Sequence, residues 1–80
     1  MQIFITGIAG FLGSNLADYY IQKGFNVSGC DNLVGGDLDN VDPKVKFYKA
    51  DCEDLTKMQE ITKNIDVVIH AAAYAHEGLS

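Results

Sequence analysis

Three glycines, Gly7, Gly10 and Gly13, recur at three-residue intervals in "FITGIAGFLGSNL", residues 4–16. They stand between a strand-like apolar run and a run with helical spacing. A helix N-terminus presents unpaired backbone N–H groups and a partial positive charge. That end holds a phosphate when the backbone can come close, which a side chain would prevent. Gly7 suits the tight turn, Gly10 the main-chain contact with a pyrophosphate, and Gly13 the close packing of helix on strand. Phe11 and Leu12 are expected to tie the turn to the core. The spacing is one residue longer than G-x-G-x-x-G. A glycine-rich turn without a ligand is the bland alternative.

Asp31 is the second chemical group. It closes a strand-like run 18 residues beyond Gly13. In a strand–glycine–helix arrangement that position lies beside an adenosine ribose. A carboxylate there accepts hydrogen bonds from ribose hydroxyls and repels a 2′-phosphate. No cationic residue occurs between Gly24 and Pro43, so NAD is favoured over NADP. The bland alternative is a solvated carboxylate at a strand end.

Other reactive side chains point elsewhere. Tyr19 and Lys23 satisfy Y-x-x-x-K literally, but on the helix that follows the glycines, where they read as a core-and-boundary tyrosine helix. His70, His76, Cys30 and Cys52 match no zinc spacing. His70 is expected to be packed with its ring nitrogens satisfied, and the cysteines to be small apolar fillers. The acidic loop 31–42 places Leu33 and Val41 where calcium ligands are required. No metal site is expected. Lys44, Lys46 and Lys49 read as a solvated rim.

The elements that must position these groups alternate. Residues 2–6 read as a strand bounded by Gly7. From Phe11 to Lys23, Leu12, Leu16 and Tyr20 form an apolar stripe flanked by Ala17 and Ile21. Ser14, Asn15, Asp18 and Gln22 supply the polar face. Gly24 suits the left-handed position past a helix end. Residues 25–30 read as a second strand, and 32–44 as a loop with one helical turn near Leu38. Residues 45–50 read as a third strand. Asp54 is the expected N-cap of a helix over 55–63 with Leu55, Met58 and Ile61 inward, closed by Asn64. Residues 65–73, "IDVVIHAAA", read as a fourth strand buried on both faces. Strands joined by crossovers rather than hairpins lie parallel in an α/β fold.

Bulk properties agree with one thin domain or part of one: 80 residues, 48% apolar and 21% charged. Net charge is −5, from six cations against eleven carboxylates, and no arginine occurs. That balance argues against nucleic acid or an anionic membrane as partner. No apolar run reaches the roughly 18 residues of a membrane helix. "MQIFITG" shows no signal-peptide pattern, so the cytoplasm is the expected compartment and the cysteines are expected to be reduced.

"TGIAGFLGSNL", then "DNL", "KADCEDL" and "VIHAAA", resembles the extended short-chain dehydrogenase/reductase family, and within it the NAD-dependent nucleotide-sugar epimerases and dehydratases. The resemblance covers all 80 residues. It implies the first half of a Rossmann fold, four parallel strands in order 3-2-1-4 with flanking helices. It implies a cofactor site of Gly7, Gly10, Phe11, Leu12 and Gly13 on the pyrophosphate, with Asp31 and Asn32 at the ribose. Asp51 and Cys52 would lie at the adenine, and Ala71, Ala72 and Ala73 along the groove. The family's catalytic Tyr-x-x-x-Lys pair and its sugar-nucleotide site lie further along longer chains. The 80 residues are therefore expected to hold the ADP part of NAD, to carry no catalytic residue and to be inactive alone. A nucleotide-sugar substrate is expected only for a full-length protein. The alternatives are a stand-alone nucleotide-binding or regulatory module, and a fold whose pocket has decayed into an interaction surface. The fourth strand lies at a sheet edge in this order, so self-association through that edge is expected.

Overall fold

The computed structural model describes residues 1–33, 36–51 and 53–71. Cys52, Ala72, Ala73 and His76 lie outside the described residues. The strands are β1 (Gln2–Thr6), β2 (Asn26–Asp31), β3 (Lys46–Lys49) and β4 (Val67–His70), with helices α1 (Phe11–Gln22) and α2 (Leu55–Ile61). A single 3₁₀ turn, Leu38–Asn40, interrupts the β2–β3 loop. The sheet order is β3-β2-β1-β4 and every pairing is parallel, as the alternation of strand and helix patterns requires.

β1 is central and buried from Ile3 to Thr6. Its alternation sends Ile3 and Ile5 to one face and Phe4 to the other. The first face packs with Val27 and with Ala17, and Leu12, Leu16, Tyr20 and Ile21 of α1 close over it. On the second face the Phe4 and Tyr48 rings lie 6.5 Å apart. There the Cys30 thiol donates to the Met58 thioether of α2 over 3.7 Å. Cys30 is thus a buried filler between strand and helix. Each fully buried large apolar side chain of β1 contributes about 1.5–3 kcal/mol.

α1 stops because of Gly24. The Gly24 N–H donates to Ile21 O and the Phe25 N–H to Tyr20 O, at 3.0 and 3.1 Å. With Gly24 at φ +87° this is a Schellman motif, and its apolar clasp is the Tyr20–Phe25 ring pair, 5.9 Å apart. At the start of α2 the Asp54 carboxylate accepts from the Lys57 N–H, and Asn64 takes the left-handed turn beyond its end at φ +69°.

Several expectations need correction. β4 is not buried on both faces: Val67 is 39% and Val68 52% exposed. It lies at the sheet edge beside β1, and α2 buries none of its own residues. A continuous apolar run does not distinguish a strand covered on both sides from one awaiting cover. Leu55, expected inward on α2, is 72% exposed; it is the first residue of a helix that has no buried residue. Phe11 does not anchor the turn; it is 85% exposed. It lies on the polar stripe of α1 with Asn15, Asp18 and Gln22, all exposed. Ile8 and Ala9, both fully buried, anchor the turn instead.

Candidate dinucleotide site

Parallel strands carry their C-terminal ends to one edge. Thr6 pairs with Cys30 and with His70, and Asp31 with Lys49. The glycine loop, Asp31, Asp51 and Ala71 therefore emerge at the same end of the sheet. The loop is sewn to β2 by two bonds, from the Gly7 and Ile8 N–H groups to Cys30 O at 2.8 and 3.2 Å.

Each glycine has a distinct cause. Gly7 turns at φ +71°, a conformation that L side chains avoid. A Cβ on Gly13 would lie 2.2 Å from Gly7 O, so the helix meets the loop with no space for a methyl group. A Cβ on Gly10 would lie 3.3 Å from the same oxygen, a tight but less forbidding approach. Gly10 is also the N-cap of α1, with no side-chain cap and no acid in the first turn. The first-turn amides, including those of Phe11 and Leu12, thus lack the side-chain acceptor that most helices supply. The Asn15 amide and Ser14 hydroxyl donate to Phe11 O and leave those N–H groups clear.

Asp31 is buried, with 8% of its surface exposed. Its Oδ2 accepts from the Ala9 N–H at 2.9 Å and its Oδ1 from the Leu33 N–H at 2.8 Å. A carboxylate has about four acceptor positions, and these two N–H groups take one on each oxygen. The strand-end acid is therefore no solvated bystander: it links β2 to the glycine loop. Asn32 is exposed beside it. Asp51 is also exposed, and its Oδ1 accepts from the Glu53 N–H. Ala71 is buried directly after β4.

Several contributors have no obvious sequence signal. A Cβ on Gly29 would lie 2.5 Å from both Ile5 O and Ile8 Cδ1; this mid-strand glycine admits the Ile8 side chain. Gly36, Asp37 and Asn40 meet the Ala9 peptide from the β2–β3 loop through close packing and two hydrogen bonds to Ala9 O. The Thr6 hydroxyl and His70 Nδ1 share a hydrogen bond of 2.7 Å across β1 and β4. His70 is otherwise exposed at the edge strand, not packed as expected.

The Tyr19–Lys23 pair lies at the far end of α1, near the N-terminal ends of the strands. Lys23 Nζ sits 5.4 Å above the Tyr19 ring, a surface cation–π contact. A cleft of about 600 Å³ also opens at that end, lined by Phe25, Lys44, Lys46 and Lys63 among others. It is separate from the glycine loop. Among the described residues no cluster of three potential metal ligands occurs, and no helix is long and apolar enough to cross a membrane.

Comparison with known proteins agrees with this geometry. The model of the NAD dependent epimerase/dehydratase family matches residues 3–80. A putative UDP-glucose 4-epimerase of Methanocaldococcus jannaschii is 42% identical over 73 residues, 90% of this chain and 24% of that protein. The UDP-glucose 4-epimerase of Thermotoga maritima, solved with UDP-glucose, superimposes with a TM-score of 0.82 at 36% identity, over 88% of this chain and 23% of that one. The Thermus thermophilus UDP-glucose 4-epimerase in complex with NAD gives a TM-score of 0.79 at 30% identity, over 88% of this chain and 23% of that one. The chain thus spans about a quarter of the length of these relatives. It has the sheet of a Rossmann fold, and it belongs to the NAD dependent epimerase/dehydratase family.

Proposed function

We propose that residues 1–80 form the N-terminal part of a Rossmann domain that holds the ADP portion of NAD in a nucleotide-sugar epimerase or dehydratase. The observation that carries this reading is the buried Asp31 carboxylate, 2.9 Å from the amide of Ala9 within the glycine loop. It joins a hydroxyl acceptor to a phosphate cradle at one sheet edge. The cradle fits a pyrophosphate because Gly13 excludes a Cβ and the first turn of α1 carries no acid. In this reading the amides of Phe11 and Leu12 hold the pyrophosphate, and Gly10 lets it approach. The Asp31 carboxylate holds the ribose hydroxyls, with Asn32 beside them and Asp51 toward the adenine. NAD, when bound, supplies the hydride acceptor. The chain's own residues bind and orient it and exclude a 2′-phosphate by charge. Sugar recognition and the proton-transferring pair belong to the rest of the protein.

Calorimetric titration tests the reading. ADP-ribose is expected to bind and nicotinamide mononucleotide is not, with NADP weaker than NAD. No heat with either NAD or ADP-ribose would overturn it. The exposed edge of β4 further supports association through that strand, with a second copy or with another strand of the same protein.

A further inference from the structure

We infer that Asn40 is a positioning residue for the glycine loop, acting through the backbone of Ala9. The inference rests on the dinucleotide reading only for its effect on ligand; the contact itself stands in the ligand-free fold.

Every polar group of the Ala9 peptide segment is engaged by the strand-end acid or the loop that follows it. The Ala9 N–H donates to Asp31 Oδ2 at 2.9 Å. The Ala9 carbonyl accepts from the Asp37 N–H at 3.0 Å and from Asn40 Nδ2 at 3.1 Å. A carbonyl oxygen has two lone pairs, and both have donors here. Gly36 completes the contact: a Cβ there would lie 3.1 Å from Ala9 C and from Asp31 Oδ2.

The donor side is itself held firmly. Asn40 ends the Leu38–Asn40 turn, whose N-cap Asp37 accepts from the Asp39 N–H through its side chain and from the Asn40 N–H through its carbonyl, at 3.0 and 2.9 Å. The turn thus fixes the Asn40 backbone, and the side-chain amide reaches across to Ala9. Ala9 is fully buried, whereas Asn40 is exposed and the bond between them is part-buried; losing the Asn40 amide leaves the Asp37 N–H as the donor that still ties the Ala9 carbonyl to this loop. Asp31 and the glycine loop are thereby one clasped unit, and a ligand that touches both meets a preset separation. Asn40 itself need not touch the ligand.

The test uses Asn40→Ala and the isosteric Asn40→Asp in the full protein. Asn40→Asp keeps the volume but replaces two donors with acceptors facing the Ala9 carbonyl. Hydrogen exchange read by mass spectrometry over residues 7–11 is expected to accelerate in both variants, more in Asn40→Asp, while exchange in β3 is unchanged. NAD affinity is expected to fall about three- to tenfold in Asn40→Ala and further in Asn40→Asp. Unchanged exchange over residues 7–11 in both variants overturns the inference, whatever happens to NAD. Faster exchange with wild-type NAD affinity overturns the positioning role. A wild-type protein that binds no NAD overturns the function proposed above, and the exchange of the ligand-free variants then still decides the clasp.

Discussion

At the residue scale, the site is defined by what cannot be added as much as by what is present. Gly13→Ala would drive a Cβ to 2.2 Å from Gly7 O, and neither backbone can yield without moving β1 or α1. The expected outcome is a stability loss of about 1–3 kcal/mol or more by urea titration, together with loss of NAD binding. Gly24→Ala is the contrast. Nothing lies within 4 Å of its Cβ, but φ is +87°; about 1–2 kcal/mol should be lost with NAD binding intact. Asp31→Asn leaves one side-chain oxygen where two now accept N–H groups and turns an NH₂ toward one of those donors. NAD affinity should fall at least tenfold, from the ~1.5–3 kcal/mol of a bond to a charged group, as read by calorimetry. Lys23→Ala, at the opposite end of the sheet, should leave NAD binding unchanged.

At the element scale, the sequence carried the four strands, both helices and their order, because period-two and period-3.6 patterns alternate between turn residues. The caps were equally legible: Gly24 and Asp54 sit where their chemistry demands. What the patterns could not show was contact between loops. Asn40 and Gly36 read as loop composition, and their partner, the Ala9 backbone, has no side-chain signature. Gly29 carries no signal within the run 25–30, since only the fold reveals Ile8 pressed against it. Phe11 was misread from its type, although its register with Asn15 and Asp18 placed it on the outer stripe. For α2 the Asp54 cap predicts its own result. Asp54→Ala should cost about 0.5–2 kcal/mol locally, seen as faster amide exchange in α2. Exchange in β1 should hardly change, because α2 buries none of its residues.

At the scale of the whole molecule, the sheet ends in a strand with β1 as its neighbour on one side. Sedimentation equilibrium of the 80-residue chain should show association that rises with concentration, and Val68→Lys should weaken it by placing a charge on the exposed strand. A monomer at every concentration would exclude the edge as an interface in this chain. The two faces of the sheet are also unequally covered. α1 closes over Ile3, Ile5 and Val27, whereas α2 reaches the other side chiefly through Met58. Such a lopsided sandwich should come apart in stages rather than at once. On gradual addition of denaturant, the flank holding α2 and β4 would surrender its slow amides first. The half built from β1, α1 and β2, with the phosphate cradle inside it, would be the last to melt.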